Sequence, residues 1–441
     1  MQKKKIGIIT FAITLISIGI LLLMRNFADI NLKTILAIAW PSIIILFGLE
    51  IIVTKLIVSR NSEEIKTYID PISVIMLSII IVISSIYSSP SINKGFNFLS
   101  IVKSFDFEDF SVGIPNYKNS ITYDYTYTIK ADGRDKLQLI NSFGDVEITE
   151  GSGDNIEVAA EIKIKHNDEA YADELSKTIV KIDEGGSTVR IYSDLDSSKY
   201  DKNRAGQINV NYVVRIPDNI RINIENKFGD TTVWNLKKDI EINNEHGNIE
   251  VTDVEGSLKL KNFFGDIKVI NIIGAIDIEN QHDNIYVENI KKDVSIKNQF
   301  GNVDAINIGG NLNIENEHAD IDVEDIKGDL YIYSRFGNIK VDEANKFIKI
   351  ISNNGDILFR TRELIEKGVE IENEFGNIDI TVPSNQNGSF NVETEFGDIS
   401  NRLGLSVTEE ITEQSINDFI ENTNIKFYLR SRNGNISINT N

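Results

Sequence analysis

The sequence predicts an all-β protein whose main domain is a parallel β-solenoid with 18-residue rungs. Eight consecutive segments between residues 221 and 364 repeat the pattern aliphatic-x-aliphatic-x-Asn-x-(Phe/His)-Gly-(Asn/Asp)-(Ile/Val)-x-Val without a slip. Within each copy, apolar and polar residues alternate at period two, which indicates strands with one buried face rather than helices. A fixed short repeat of two strands and a Gly-Asn or Gly-Asp turn is typical of a solenoid. The rungs begin at Arg221, Asp239, Ser257, Ala275, Asp293, Asn311, Asp329 and Phe347.

Five aliphatic positions recur in every rung and are expected to fill the lumen of the coil. In one rung they are Ile276 and Ile278 before the bend, Ile285 and Val287 after it, and Ile290 before the next rung. β-Branched residues dominate these columns, as a pleated and half-buried surface prefers. A single rung has too small a core to fold alone, so the rungs are expected to be stable only as an array with both ends covered.

Two columns at the bend contain the candidate site residues, and both are interpreted as structural. We expect the asparagines to form a hydrogen-bonded amide ladder inside the bend and the aromatic rings to stack. The Gly-Asn and Gly-Asp pairs beside them would supply positive φ at the turn. The asparagine column is Asn226, Asn244, Asn262, Asn280, Asn298 and Asn316. The aromatic column is Phe228, His246, Phe264, His282, Phe300, His318 and Phe336.

The histidines of the aromatic column raise the alternative of a metal site, which the spacing disfavours. Successive histidines lie two rungs apart, roughly 9.6 Å by strand spacing, with a phenylalanine between them. Zinc–nitrogen bonds of about 2 Å require ligands much closer together. No cofactor is therefore expected. Ca²⁺ bound by Asp/Asn turns remains an alternative, although the glycine-rich nonapeptide of calcium β-rolls is not present.

Outward-facing charges support parallel stacking independently of the core. One column runs Lys261, Glu279, Lys297, Glu315, so its sign alternates from rung to rung. Neighbouring strands lie about 4.8 Å apart, where opposite charges attract and like charges repel. Since exposed ion pairs contribute little stability, these charges are expected to specify register.

The first 89 residues are predicted to form a membrane region with three transmembrane helices, at 6–24, 35–58 and 71–87. Lys3–Lys5 and the loop with Arg60 and Lys66 favour the cytoplasmic side. Three spans would then place the solenoid outside the cytoplasm, in a multi-pass protein of the cytoplasmic membrane. Glu50 lies within the second span and is expected to face another helix or to be protonated.

The remaining segments divide the chain further. Residues 90–120 are predicted to be a linker, 121–220 a mixed strand-and-helix cap, and 221–441 the solenoid. The cap contains the best helix pattern, Asp168–Ile182, with an acidic first turn. A polar stretch, Ser406–Glu421, is expected to be a helical insertion that covers the distal end.

Composition excludes several function classes. The 441 residues carry a net charge of −21, which argues against nucleic-acid binding. The chain has no cysteine, so disulfides and thiol catalysis are excluded. Glycoside hydrolysis needs a pair of carboxylates in a cleft, whereas Asp and Glu are spread over every rung and interleaved with Lys. We expect the protein not to be an enzyme.

Residues 121–441 resemble the bacterial putative-adhesin family of β-solenoid domains, which is related to auto-transporter adhesin heads. The resemblance depends on INSFGDVEI from Ile140, DELSKTIVKID from Asp173, VVRIPDNIRINIEN from Val213, and the repeats. Residues 6–58 resemble the membrane region of Lia-type envelope-stress proteins through GILLL from Gly19, Trp40-Pro41 and FGL from Phe47. These resemblances imply an envelope protein with no assigned enzymatic activity.

Three functions follow as hypotheses. The first is a membrane-anchored, non-enzymatic, adhesin-like solenoid that acts as an interaction surface for an envelope protein or polysaccharide. The second is an envelope-stress regulator whose membrane region docks a sensor kinase. The third is a β-helix enzyme that cleaves polysaccharide.

Overall fold

The computed structural model describes residues 3–6, 10, 11, 13, 14, 17, 42–51, 54, 66–69, 117–195, 199–421 and 424–441. The chain divides into two compact units, Met1–Asn116 and Tyr117–Asn441.

In the first unit, strands Lys3–Ile6 and Lys66–Ile69 pair in parallel, and residues 42–51 are helical. Glu50 is buried, and its Oε2 accepts hydrogen bonds from the N–H and Oγ1 of Thr10 at 2.9 and 2.5 Å. Most of the predicted spans 6–24 and 35–58, and all of 71–87, lie outside the described residues. Where the structure is described, none of its helices combines the length and the apolar character that crossing a bilayer requires.

The second unit consists mainly of two long sheets that follow the solenoid axis, and the predicted parallel solenoid is confirmed. Among the described residues, sheet 1 has sixteen strands and sheet 2 has fifteen. In spatial order, sheet 1 contains Thr408–Glu409, Gln414–Ile420, Gly388–Thr394, Lys426–Asn433, Gly368–Phe375, Phe347–Asn354, Leu330–Phe336, Leu312–His318, Val294–Phe300, Ile276–His282, Leu258–Phe264, Ile240–His246, Arg221–Phe228, Lys136–Asn141, Thr188–Ser193 and Val180–Asp183. In the same direction, sheet 2 contains Ile399–Asn401, Ile436–Thr440, Ile378–Val382, Ile357–Arg360, Ile339–Ala344, Ile321–Ile326, Val303–Ile308, Ile285–Ile290, Ile267–Ile272, Ile249–Val254, Thr231–Leu236, Val146–Glu150, Ala205–Ile216, Asn155–His166 and Asn119–Lys130.

The register of the rungs follows the 18-residue period. Leu260 pairs with Ile278 and Asn262 with Asn280 in sheet 1, and Val269 pairs with Val287 in sheet 2. The aliphatic columns of both sheets face each other across the lumen and are almost completely buried. This dry, β-branched core holds the two sheets together, and it leaves the outer faces for polar residues.

The sharp turn after the asparagine depends on glycine. Gly265 has a φ of +121°, and a Cβ at this position would lie 2.2 Å from the carbonyl oxygen of Gly247 in the rung below. Two rungs depart from this rule, since Asp283 and Ala319 occupy the glycine position with φ of 80° and 103°. Both residues are held in a conformation that L-residues with a Cβ rarely adopt.

The proximal end combines strands with one helix. Strands Lys136–Asn141 and Val146–Glu150 form a rung in register with the one that begins at Arg221, although about 85 residues of sequence separate them. The helix is Glu169–Ile179, and the side chain of Asp168 caps it by accepting the Tyr171 N–H. The predicted helix was too long, because Val180–Asp183 is a strand of sheet 1.

The distal end differs from the prediction in two respects. The helical prediction for Ser406–Glu421 is wrong, since this stretch contains strands Thr408–Glu409 and Gln414–Ile420. The latter pairs antiparallel with Gly388–Thr394. In addition, the last rung of the sequence does not lie at the end of the stack. Strand Lys426–Asn433 lies between Gly368–Phe375 and Gly388–Thr394, so the chain turns back and inserts its C-terminus between two earlier rungs.

Replacing Ala319 by glycine should stabilise the protein. The change relieves the strained positive φ and should raise the free energy of unfolding by about 1 kcal/mol, measured by urea denaturation. Ala305→Gly is the matched control, because Ala305 is buried in a regular strand and its replacement should destabilise the solenoid. Equal destabilisation by both changes would contradict this account of the turn.

Candidate interaction surface

The aromatic column forms a continuous stack on the outside of the bend. From Phe143 to Phe336 each ring lies parallel to the next, with centroids 4.5–5.1 Å apart and interplanar angles of 2–7°. Since the buried residue two positions before each ring points inward and the residue after the ring reverses the chain with a positive φ, the ring projects outward over the turn. Phe143 belongs to this stack, and the sequence analysis noted its motif without assigning it to the column.

The buried asparagines make a different network from the expected amide ladder. Asn262 Nδ2 donates to the carbonyl oxygens of Gly265 in its own turn and Gly247 in the rung below, at 2.9 and 3.0 Å. Asn226, Asn298 and Asn316 bond to their own turn and to the rung below in the same way. The amides therefore tie adjacent turns together through backbone carbonyls rather than through one another.

Two further columns of polar side chains form hydrogen bonds between rungs, and the sequence analysis did not predict them. The Asn or Asp after each turn glycine accepts the backbone N–H of its counterpart in the next rung, as Asn248 Oδ1 does from Asp266 at 2.9 Å. A second column has positive φ near the end of seven sheet 2 strands, from Asn235 to Glu343, and there Asn289 Nδ2 donates to Asn271 Oδ1 at 3.1 Å. The signal for both was present, because Asn and Asp recur at period 18 at these positions and tolerate such bonds.

An open groove runs along the outer face of sheet 1 beside the bend and encloses about 570 Å³. We call it the outer groove. Its first wall contains the residues that precede the buried asparagines and, in the last of these rungs, buried Ser334: Lys261, Glu279, Lys297, Glu315 and Tyr333. Its second wall contains the residues that follow them: Glu245, Phe263, Gln281, Gln299 and Glu317. Each wall takes one residue from each of five rungs, so the groove is about 19 Å long.

Most charges of the outer groove are neutralised within it. Lys261 bonds to Glu279 at 2.6 Å, and Lys297 lies 3.4 Å from Glu315. The hydrogen bond to Glu279, followed by its charge, raises the pKa of Lys261 above its ordinary value. These pairs hold long side chains in fixed positions along the wall, so that their methylene stems contribute apolar surface.

The aromatic side chains of the outer groove are exposed, and ring contacts hold Phe263 in place. Phe263 is 47% exposed, and its ring packs edge-on against Phe264 and His282, with centroids 4.8 and 5.9 Å away. Tyr333 is 40% exposed at the other end of the groove. An exposed ring fixed by its neighbours offers a contact surface that loses little conformational freedom on binding.

One pair of carboxylates on adjacent strands has like charges that repel each other, unlike the column in which lysine and glutamate alternate. Asp304 and Asp322 are opposite each other on adjacent strands of sheet 2. Partial burial, followed by the charge of Asp322, raises the pKa of Asp304 above its ordinary value. Neither residue lines the outer groove. Of the side chains that the structure describes, no three or more His, Asp or Glu are grouped so that they could hold a metal ion.

His282 tests whether the stacked histidines act through ring contacts. His282→Ala removes stacks with Phe264 and Phe300, at 4.5 and 5.1 Å, and should lower the free energy of unfolding by about 1–2 kcal/mol. His282→Phe should retain the stability of the wild type, measured by urea denaturation. If the phenylalanine variant is as unstable as the alanine variant, the imidazole nitrogens matter and the stacking interpretation fails.

Asp304→Asn should stabilise the protein in a pH-dependent manner. Because folding raises the pKa of Asp304, the ionised carboxylate disfavours the folded state above that pKa, and the penalty disappears below the ordinary value of 3.8. The variant should gain about 0.5 kcal/mol at pH 7 and nothing near pH 3. Asp322→Asn is the control, since it also loses the ion pair with Lys340 and should gain less. A gain that is independent of pH would refute the electrostatic origin.

Comparison with solved structures gives distant likenesses. A "putative cell adhesion protein" from Clostridium sporogenes is 11% identical and covers 73% of this chain and 100% of its own, with a TM-score of 0.16. A "putative lipid binding protein" from Parabacteroides distasonis is 13% identical, with coverages of 74% and 97% and a TM-score of 0.26. A "putative adhesin" from Bacteroides fragilis is 13% identical, with coverages of 73% and 97% and a TM-score of 0.21. These TM-scores are too low to support an argument about function.

The family comparison is more decisive. No curated protein matches the sequence. The family model described as Toastrack DUF4097 matches residues 134–439, well over half of the chain. The match begins at residue 134, so it gives no support to the resemblance of residues 6–58 to Lia-type proteins. From the repeats and this match, the chain belongs to the Toastrack DUF4097 family.

Proposed function

We propose that this protein is a non-enzymatic, adhesin-like interaction protein of the cell envelope. Its N-terminal region anchors it in the cytoplasmic membrane, and its solenoid stands outside the cytoplasm. The observation that carries the proposal is the outer groove, where columns from successive rungs form one continuous surface about 19 Å long. Such an extended surface suits recognition of a long partner better than turnover of a small molecule.

The construction of the solenoid supports this function. Its lumen is filled by aliphatic columns, so the outer faces are the surfaces on which a partner can bind. Repeated hydrogen bonds between turns, such as those from Asn262 to Gly265 and Gly247, fix these faces. A rigid scaffold presents side chains to a partner without an ordering cost at the moment of binding.

The carboxylates of the outer groove support the non-enzymatic assignment. Glu279 and Glu315 are each in an ion pair with a lysine of an adjacent rung. A glycosidase needs one protonated and one ionised carboxyl group on opposite sides of the scissile bond. Each glutamate is instead held against a lysine on the wall of an open groove, an arrangement that suits a binding surface rather than a catalytic pair of carboxyl groups.

The anchoring proposal depends on the N-terminal sequence. Long apolar runs follow Lys3–Lys5, and basic residues are expected to remain on the cytoplasmic side of the membrane. Buried Glu50 accepts two hydrogen bonds from Thr10, which would offset part of the cost of a carboxyl group in an apolar environment.

Binding to wall material tests the proposed function. The full chain in detergent micelles should co-sediment saturably with washed cell-wall fragments, whereas a soluble control protein of similar negative charge should not. Protease added to intact cells should remove the solenoid. The same treatment should leave the solenoid in place when the cell surface is shielded from the protease. Retention no greater than that of the acidic control would refute the interaction role. Release of reducing ends from the wall material would show that the protein is an enzyme.

A further inference from the structure

We propose that the outer groove binds an extended, uncharged, β-linked polysaccharide, with about one sugar ring beside each rung. The inference rests on the proposed function, which it deepens by naming the site and the class of ligand. Four features of the groove carry it: its repeat length, its aromatic platforms, its amide groups and its internal charge balance.

The repeat length of the groove matches the ligand. Adjacent rungs are about 4.8 Å apart, which is close to the length of one pyranose unit in an extended β-linked chain. A polysaccharide lying along the axis therefore meets equivalent wall positions with each sugar. An extended peptide rises about 3.4 Å per residue and would lose register with the rungs within a few residues.

The groove also lacks the means by which sheets usually bind peptides. Its floor is the face of sheet 1. The strand in the middle of the floor, which contains Asn280, is already paired on one side with Leu258–Phe264 and on the other with Val294–Phe300. Addition of a peptide strand requires a free sheet edge. Recognition here must therefore come from side chains, which is how sugar rings are bound.

Two aromatic platforms lie at opposite ends of the groove. Phe263 is on the second wall, and Tyr333 is on the first wall about four rungs further on, roughly 19 Å along the axis. The ring of Phe263 is supported edge-on by Phe264 and His282, so it cannot easily turn aside. The apolar face of a pyranose ring packs on such platforms, and their separation suits a ligand of about five sugars.

Amide groups lie between the platforms. Gln281 and Gln299 follow Phe263 on the second wall. The Oε1 atom of Gln281 is buried and has no hydrogen-bond donor in the described part of the chain. A buried acceptor without a donor is costly, and a rotation of this partly buried side chain that brings Oε1 to a hydroxyl or N-acetyl N–H of a bound sugar would remove that cost.

The charge balance favours a neutral ligand. Three of the four glutamates in the groove are in ion pairs, Glu279 with Lys261, Glu315 with Lys297, and Glu317 with Arg335. The chain as a whole has a net charge of −21, so a polyanion such as a nucleic acid or a teichoic acid would be repelled. Binding to a neutral sugar chain would depend little on salt.

Titration calorimetry of the full chain in detergent micelles tests the inference. The probes are β-1,4-linked N-acetylglucosamine oligomers of two to about eight units, with α-1,4-linked glucose oligomers as the linkage control. Affinity for the β-linked series should rise with length up to about five units and then level off. Phe263→Ala and Gln281→Leu should each weaken binding of the longest oligomer by about tenfold.

Phe396→Ala is the matched control, because Phe396 is also an exposed phenylalanine, at 59% against 47% for Phe263, but lies outside the groove. It should bind as the wild type does, and binding is measured at a temperature at which thermal unfolding shows all three variants to be folded. The inference is overturned if no β-linked oligomer binds, if affinity is independent of length, or if α-linked oligomers bind equally well. If the oligomers fail but wall fragments still retain the chain, only the groove assignment falls. If both fail, the proposed function falls with it.

Discussion

The structure depends on one constraint, the in-register parallel stacking of rungs about 4.8 Å apart. Every side chain has its counterpart from the next rung as its nearest neighbour, so each column must consist of residues that can touch one another. Phe264 and His282 satisfy this by stacking at 4.5 Å, and Lys261 and Glu279 by ion pairing. Asp304 and Asp322 do not satisfy it, and partial burial together with the charge of Asp322 raises the pKa of Asp304. The outer groove is a consequence of the same constraint, because its walls are two such columns.

The period of the sequence was sufficient to predict the rungs, the lumen and the register. Columns such as Leu260 and Ile278 repeat every 18 residues, and only stacked strands of one fixed length bring them together. The hydrogen bonding of Asn262 was not predictable in the same way. A column of amides suggests amide–amide bonds, but the turn carbonyls of Gly265 and Gly247 lie within reach of the same N–H group and compete for it. Periodicity shows which residues are neighbours and not which of their atoms meet.

Prediction failed most clearly where the period is lost. Ser406–Glu421 has scattered aliphatic residues that fit no strict period, and its conformation is decided by pairing of Gln414–Ile420 with Gly388–Thr394. That pairing is a tertiary contact, which local pattern does not reveal. The outer groove was missed for a related reason. Phe263 is an additional aromatic residue in its repeat, but the sequence analysis did not single it out, because the concave shape depends on the bend at the buried asparagines, which only the folded coil shows.

The ends of the stack show how the protein limits its own repeat. A parallel solenoid could in principle continue by adding rungs from another molecule, since each end presents free backbone groups. At the distal end of sheet 1, Gln414–Ile420 runs antiparallel and is followed by the two-residue strand Thr408–Glu409. At the proximal end of sheet 2, Asn119–Lys130 also runs antiparallel to its neighbour. The parallel ladder is therefore interrupted before the edge of the sheet at both places, and an incoming rung would not meet a regular rung there. The reversal of strand direction therefore confines the periodic surface, and with it the outer groove, to a fixed length within one chain.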